Sequence, residues 1–358
     1  MTENTTFFLG ANTPFGFHSL FSELYDPHDG WRAYIIKGGP GTGKSTMMKR
    51  IADLCEKEGV MCEKVHCASD PESLDALIFD GKKISIVDGT APHVIEPQFP
   101  GAVEKVLYMD AFRDDGFLQK NRAEIIRLWA ENSSLHKKSI RFLQASESLS
   151  RDVRRIVLSC TDTDKAERYA SRLASRKFGT PRGVVGTERK RFLSAVTPDG
   201  IYIHYGSIET LCDDVIVIDD PYGSVSSIIV GCLRRYALGS GLDVISCPCP
   251  LHPDCGPEHL IVPEIGFAVV SSRAYHRFVS DQTKVNAGRF TDNSAMKEFK
   301  SRVAFSKKTQ KELVEEAVNA MKGALKIHDE LEEIYKQSMD FEKVNELTEK
   351  TAREIIEA

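Results

Sequence analysis

Short runs of consecutive apolar residues recur along the chain, each next to a turn-rich segment and a stretch with helical periodicity. Apolar runs of this length that alternate with helices are typical of parallel strands buried on both faces of a sheet. The pattern therefore predicts an α/β fold built on parallel sheets. Strands are predicted at Ala33–Ile36, Cys62–Cys67, Ile84–Val87, Val215–Ile218, Asp243–Cys247 and Phe267–Val270.

Long helices are predicted after each α/β segment, because apolar residues there recur at spacings of three and four or their sums. We expect these faces to pack as helical hairpins, and a partner-binding or dimerising coiled coil is the alternative. Asp340 is the predicted N-cap of a final helix. The first apolar face contains Ile126, Trp129, Ile140, Leu143, Leu149 and Val153, and the second contains Val314, Ala317, Met321, Leu325, Leu331 and Ile334.

The two parts of the chain repeat one another. FFLGANTPFG (Phe7–Gly16) and RFLSAVTPDG (Arg191–Gly200) are identical at six of ten positions. The same order of similarity continues downstream, where Ile84–His93 matches Phe267–His276. An ordered set of matches across both parts indicates a tandem duplication.

The duplication predicts two domains of the same architecture. The first domain is expected at residues 1–178, with a helical extension over about 104–177. A linker rich in Gly, Pro and charge occupies 179–191. The second domain is expected at 192–358, with its extension over about 290–358.

Composition narrows the class of protein. Of its residues, 41% are hydrophobic and 28% are charged, which is typical of globular proteins. The net charge of −5 argues against a nucleic-acid partner. No run of 18 apolar residues predicts a membrane span, and the first residues lack the pattern of a signal peptide. Nine scattered cysteines favour reduced thiols and hence a cytoplasmic location.

One motif carries specific chemistry. GGPGTGKS fits the P-loop pattern G-x-x-x-x-G-K-[ST] and stands between an apolar strand and an amphipathic helix. Glycines let backbone N–H groups approach phosphate oxygens, Lys44 neutralises phosphate charge, and Ser45 ligates Mg²⁺. ATP and Mg²⁺ are therefore the expected cofactors. The predicted phosphate-binding residues are Gly38, Gly39, Pro40, Gly41, Thr42, Gly43, Lys44, Ser45 and Thr46.

Three acids are candidates for the remaining roles. Asp88 follows an apolar strand and is the predicted second ligand of the metal, although a simple Asp-Gly turn is the alternative. Asp70 or Asp75 could position water or act as a base towards a hydroxyl. Alternatively, Asp70 forms a turn with Pro71 and Asp75 is a solvated helix residue.

The second repeat has lost the motif. Removing the lysine and adding carboxylates at the loop would repel a polyphosphate, so this half is expected to be a pseudo-NTPase domain. The aligned replacements are Gly38 by Asp219, Gly39 by Asp220, Gly43 by Ser224, Lys44 by Val225 and Asp88 by Ser271.

A separate feature of the second repeat is the segment CPCPLHPDC. It places Cys247, Cys249, His252 and Cys255 within nine residues, and these four are candidate Zn²⁺ ligands. The spacing is tighter than that of familiar zinc modules. The repeat also explains Cys249 as the counterpart of Cys67.

The paired FLGANTP and FLSAVTP segments, GGPGTGKST, HCASDPESLD and IVDGTAPH together resemble a bacterial family of duplicated P-loop ATPases, found mostly in Gram-positive species. The resemblance implies ATP binding and a degenerate second half. We therefore expect a Mg²⁺-dependent ATPase whose cycle moves the helical extensions or the pseudo-domain. The alternatives are a kinase acting on a nucleotide or small metabolite, and a nucleotide-gated scaffold that binds partners, or itself, through the extensions.

Overall fold

A computed structural model of the chain describes residues 4–273, 277–278 and 282–358. The last part of the repeat predicted at Phe267–His276 lies outside these described residues. The rest of the chain forms two six-stranded sheets, a hairpin beside each of them, and a set of long helices.

The first repeat contains eight strands and four α-helices among the described residues. Its elements in chain order are β1 (Thr5–Phe7), β2 (Gly10–Thr13), β3 (Gly16–Ser19), β4 (Arg32–Lys37), α1 (Lys44–Lys57), β5 (Glu63–His66), β6 (Leu74–Phe79), β7 (Ile84–Asp88), β8 (Glu104–Tyr108), α2 (Asp115–Lys120), α3 (Arg122–Ser159) and α4 (Thr163–Lys177).

The second repeat follows the same plan with a different set of short helices. Its elements are β9 (Glu188–Lys190), β10 (Ser194–Thr197), β11 (Gly200–Ile203), α5 (Gly206–Leu211), β12 (Asp214–Asp219), α6 (Ser224–Gly239), β13 (Val244–Cys249), β14 (His252–Val262), β15 (Phe267–Ser272), β16 (Thr283–Asn286), α7 (Asn293–Lys336) and α8 (Phe341–Glu357).

The strand orders of the two sheets correspond element for element. The first sheet runs β1-β5-β6-β7-β4-β8 and the second runs β9-β13-β14-β15-β12-β16. This agreement confirms the α/β class and the tandem arrangement of two similar sheets. The sheets are mixed rather than purely parallel, because β6 and β14 are antiparallel to both of their neighbours. A seven-residue turn (67–73), not a crossover helix, joins β5 to β6, and β6 was missed in the sequence.

The repeated N-terminal motif forms the same hairpin twice. Thr13 Oγ1 donates to the carbonyl oxygen of Gly16 at 2.7 Å, and Thr197 Oγ1 donates to that of Gly200 at 2.9 Å. Between the hairpins and the sheets, Phe8 and Phe192 exchange two backbone hydrogen bonds of 2.9 Å each. The two repeats are therefore joined next to their β1 and β9 edges.

The two long helices pack against each other and run antiparallel. They contain 38 residues in α3 and 44 residues in α7. Asn132 Nδ2 donates to the carbonyl oxygen of Ala324 at 2.8 Å near one end, and Arg302 pairs with Asp152 at 2.7 Å near the other. Each helix therefore leads away from its own sheet and ends at the opposite one.

The terminal helices are consequently exchanged between the two halves. Val344 and Ile355 of α8 lie in the apolar core of the first sheet, beside α1. Ala166 and Leu173 of α4 lie in the core of the second sheet, beside α6. The predicted N-cap is confirmed, since the Asp340 carboxylate accepts a hydrogen bond from the Lys343 amide at 3.3 Å.

These contacts correct the predicted boundaries. Residues 1–178 and 192–358 are repeats of the sequence, but each compact unit takes its last helix from the other repeat. The first extension starts at Asp115, because the segment from 104 begins with strand β8. The predicted linker 179–191 contains β9, an edge strand of the second sheet.

The prediction that each extension folds into its own helical hairpin is also wrong. The long helix of each extension packs on the long helix of the other repeat. The face predicted for α7 is buried at Val314, Ala317, Met321 and Leu331, whereas the face predicted for α3 is buried only in part. Leu143 and Val153 are buried as expected, whereas Ile126 and Trp129 are 55% and 46% exposed. None of the described helices carries the sustained apolar stretch that a bilayer span requires.

The exchange makes the C-terminal helix part of the first core. Ile355→Ala in α8 should lower the free energy of unfolding by about 2–5 kcal/mol, because the fully buried side chain leaves a cavity. Urea-induced unfolding followed by tryptophan fluorescence measures this loss. Glu357→Ala, an exposed change in the same helix, is the matched control. Equal stability of the two variants would contradict the packing of α8 on the first half.

Candidate functional site

The glycine-rich loop lies at the carboxyl end of β4 and leads into α1. Gly43 adopts a left-handed conformation, with φ of 87°, immediately before the first helical residue, Lys44. The Lys44 ammonium donates hydrogen bonds to the carbonyl oxygens of Gly38 and Gly39, at 2.8 and 2.7 Å. The buried Thr42 hydroxyl also donates to Gly39, at 2.8 Å. The loop therefore wraps back on itself and holds the lysine against its own backbone.

Asp88 ends the strand beside β4, where the register pairs it with Ile36. Its Oδ2 lies 3.6 Å from Lys44 Nζ, and its Oδ1 accepts hydrogen bonds from the amide and hydroxyl of Thr90, at 2.9 and 2.5 Å. Ser45 Oγ accepts a hydrogen bond from the Leu74 amide at 3.0 Å. The structure thus brings Lys44, Ser45 and Asp88 to one edge of the sheet, as predicted.

The donor set fits a magnesium ion. Mg²⁺ prefers one or two protein oxygens together with phosphate oxygens and water. Ser45 and Asp88 supply a hydroxyl and a carboxylate at this edge of the sheet. In the second half, the hydroxyls of Ser226 and Ser271 are hydrogen-bonded to each other at 3.0 Å, and the strand end carries no carboxylate at Ser271.

Asp75 is a buried residue of β6 and not a solvated helix residue. The antiparallel register that pairs Ala76 with Val87, continued by one residue, sets Asp75 opposite Asp88. Burial raises the pKa of the Asp75 carboxyl to about 6, against the opposing influence of nearby His93. Asp75 therefore belongs to the same edge of the sheet as the loop.

Asp70 organises the turn between β5 and β6. Its Oδ2 accepts a hydrogen bond of 2.5 Å from the Ser73 hydroxyl, and its Oδ1 accepts one of 3.3 Å from the Glu72 amide. This geometry supports the turn interpretation of Asp70. Burial raises the pKa of Asp329 on α7, and the charges of Glu332 and Asp70 add to this effect.

Helices α7 and α8 cover the loop from outside the first repeat. A methyl group placed on Gly41 would lie 2.5 Å from the carbonyl oxygen of Glu332, and one on Gly39 would lie 2.9 Å from the Tyr335 ring. Gly41 also has a φ of 66°, so glycine is required there for both conformation and space. No local motif marks this cover, so it was not predictable from the sequence.

Two carboxylates accept hydrogen bonds from loop amides. Glu332 Oε1 lies 3.4 Å from the Gly41 nitrogen, and Asp110 Oδ1 lies 3.1 Å from the Gly39 nitrogen. A hydrogen bond from His328, together with the charge of Lys336, lowers the pKa of Glu332 to about 2. The amides of Gly39 and Gly41 therefore donate to anionic groups, which in this structure are the carboxylates of Asp110 and Glu332.

The degenerate loop of the second half contains its own anion. The buried Asp220 carboxylate accepts hydrogen bonds from the amides of Tyr222 and Ser226, at 3.1 and 2.8 Å, and so caps α6. A methyl group on Gly223 would lie 2.3 Å from the guanidinium of Arg273, which pairs with Glu258 at 2.6 Å. Protein charges thus fill the region that corresponds to the phosphate site.

Strand register changes one part of the repeat alignment. Ile36 pairs with Asp88 and Ile218 pairs with Ser271, so the end of β12 at Asp219 corresponds to Lys37 rather than Gly38. The connection from strand to helix has six residues in the first half (38–43) and four in the second (220–223). Loss of the lysine is unaffected by this correction, since α6 contains no cation in its first turn.

Near its C-terminal end, each long helix contacts the loop of the opposite half, and the two contacting side chains have opposite charges. Arg154 and Glu332 each stand eight residues before the N-cap of the exchanged helix, Asp162 or Asp340. Arg154 donates to the carbonyl oxygen of Gly223 at 2.7 Å, whereas Glu332 accepts from the Gly41 amide. Equivalent positions of the duplication therefore contact the opposite loops with a cation and an anion.

The predicted zinc ligands do not form a metal site. Within the described chain, no three His, Cys, Asp or Glu side chains are arranged to hold a metal ion. Cys247 and Cys249 are buried, Cys255 is exposed, and His252 accepts or donates a 2.8 Å hydrogen bond with Ser150. Burial raises the pKa of the Cys249 thiol to about 12. All nine cysteines are free thiols.

Comparisons with protein-family models, with curated proteins and with solved structures gave no match to this chain. The function of the site is therefore argued from its own geometry.

Neutralising Glu332 should strengthen anion binding at the loop. Glu332→Gln keeps the length of the side chain and removes a charge that repels phosphate, so inorganic tripolyphosphate should bind roughly threefold to tenfold more tightly. Isothermal titration calorimetry at fixed ionic strength measures the change. Glu333→Gln, an exposed neighbour on the same helix, is the control. Unchanged affinity in Glu332→Gln would show that this carboxylate does not act on the loop.

Proposed function

We propose that the chain is an ATP-binding protein with one competent P-loop site and Mg²⁺-dependent ATPase activity. The observation that supports this most directly is the position of Lys44, Ser45 and Asp88 around a strand–loop–helix turn. The glycine-rich loop would present amides, the Lys44 ammonium and the N-terminus of α1 to one bound anion. This combination suits a polyphosphate with a bound cation.

Each residue of the proposed site has a separate role. Lys44 neutralises the β- and γ-phosphates, and the loop amides from Gly39 to Thr46 bind their oxygens, Pro40 excepted since it has no N–H. Ser45 and Asp88 would hold Mg²⁺, which neutralises charge on the transferring phosphoryl group. The Thr90 hydrogen bonds orient Asp88 for this role.

Transfer to an acceptor other than water is the second candidate activity. The buried carboxylate of Asp75 opposite Asp88 is compatible with it, because a carboxylate accepts the proton of an alcohol as well as that of water. A kinase of nucleotides or small metabolites would therefore use the same site.

A nucleotide-gated scaffold is the third candidate, and the contact of Glu332 with Gly41 favours it. Phosphate binding at the loop would compete with this carboxylate and so act on α7, which reaches the second half. Self-association through the buried faces of the extensions is not proposed, because α3 and α7 pack on each other. The free cysteines support a cytoplasmic location.

Lys44→Ala should weaken ATP binding by roughly tenfold to a hundredfold, since a charge-assisted hydrogen bond contributes about 1.5–3 kcal/mol. Mg²⁺-dependent release of ADP should fall to the background. Equilibrium binding and a coupled ADP assay measure the two effects. Lys49→Ala, an exposed lysine on the same helix, should resemble wild type. ATP binding that is equal in Lys44→Ala and Lys49→Ala would contradict the proposed site.

A further inference from the structure

His93 is a buried histidine next to the proposed site. It follows β7, is only 7% exposed, and stacks on the Phe21 ring with centroids 4.3 Å apart. Neither of its ring nitrogens makes a hydrogen bond to another residue that the structure describes. Because an unpaired buried nitrogen costs free energy, a polar group other than the described residues is expected beside this ring.

Asp75 faces the same ring. Its Oδ1 lies 4.0 Å from His93 Nε2, and both side chains are almost fully enclosed. This distance is too long for a direct hydrogen bond and allows a single oxygen atom to contact both groups. The gap between Asp75 and His93 is therefore suited to one water or one hydroxyl group.

The gap lies beside the phosphate end of the proposed site. Asp75 stands opposite Asp88 in the sheet, and the adjacent Leu74 amide donates to Ser45 Oγ at 3.0 Å. Lys44 also lies close enough to influence the Asp75 carboxylate electrostatically. An oxygen held by Asp75 and His93 would thus lie near the phosphates that Lys44 binds.

The second half carries a carboxylate at the position that corresponds to Asp75. The register that pairs His259 with Val270 sets Glu258 opposite Ser271, so Glu258 is the counterpart of Asp75. Arg273 pairs with Glu258 at 2.6 Å and corresponds to Thr90, which has no charge. The degenerate half therefore neutralises this carboxylate internally, whereas the first half leaves Asp75 facing His93.

We infer that Asp75 and His93 hold the hydroxyl oxygen that attacks the γ-phosphate, whether this oxygen belongs to water or to an acceptor alcohol. The inference rests on the proposed function and identifies its nucleophile site. His93 Nε2–H donates to the oxygen, and the hydroxyl donates to Asp75. As the new O–P bond forms, the bond from the γ-phosphorus to the β–γ bridging oxygen breaks. ADP leaves with that electron pair, and the hydroxyl proton passes to Asp75.

The test uses His93→Phe, which preserves stacking on Phe21 and removes both nitrogens, together with Asp75→Asn. Turnover of each variant should fall by about a hundredfold or more, while the Kd for ATP changes by less than about twofold. Phosphate release measures transfer to water. Transfer of the labelled γ-phosphoryl group to nucleosides, nucleoside monophosphates and sugars measures transfer to alcohols. His204→Phe is the matched control, since the His204 ring is also buried against a phenylalanine, Phe8, with centroids 4.5 Å apart.

Each outcome separates the nucleophile site from nucleotide binding. Folded His93→Phe with wild-type turnover would overturn the role of His93 and leave it as a packing residue. Wild-type protein that binds ATP but transfers phosphoryl groups neither to water nor to any alcohol tested would overturn the nucleophile site alone. Wild-type protein that does not bind ATP would overturn both this inference and the proposed function.

Discussion

The exchange of terminal helices is the interaction on which the rest of the structure depends. α4 completes the core of the second sheet and α8 completes that of the first. Because apolar burial is the main favourable term in folding, neither sheet keeps a closed core without the other repeat. The antiparallel packing of α3 on α7 follows from this exchange, since each long helix must reach the opposite half.

The same exchange gives the candidate site residues from both repeats. The first repeat supplies the loop, Lys44 and Asp88, and the second supplies Glu332 and Tyr335 at the end of α7. A phosphate at the loop would meet the carboxylate of Glu332, so nucleotide binding and the position of α7 are physically linked. In the second half, side chains of the protein occupy the corresponding region. Asp220 accepts a hydrogen bond from an α6 amide, and Arg273 pairs with Glu258.

Local patterns predicted the parts of the fold that local physics determines. The apolar runs that became β4 and β7, the loop between β4 and α1, and the Asp340 cap all depend on neighbouring residues. The exchange of α4 and α8 was not predictable, because an amphipathic helix specifies a buried face and not the surface that buries it. β6 and β14 were also missed, because a short connection and not a crossover helix leads into each of them: the Asp70 turn before β6 and residues 250–251 before β14. Lys44, Ser45 and Asp88 came from a motif, whereas Glu332 and His93 reach the site only through tertiary structure.

The central claim is that a duplicated chain retains one nucleotide site. The most direct test is the stoichiometry of ATP binding to the purified full chain in the presence of Mg²⁺, measured by isothermal titration calorimetry. One ATP per chain is the predicted result, because Lys44 has no counterpart in the second loop and Asp220 occupies the amides there. Two ATP molecules per chain would contradict the degenerate second half, and no binding would contradict the site itself.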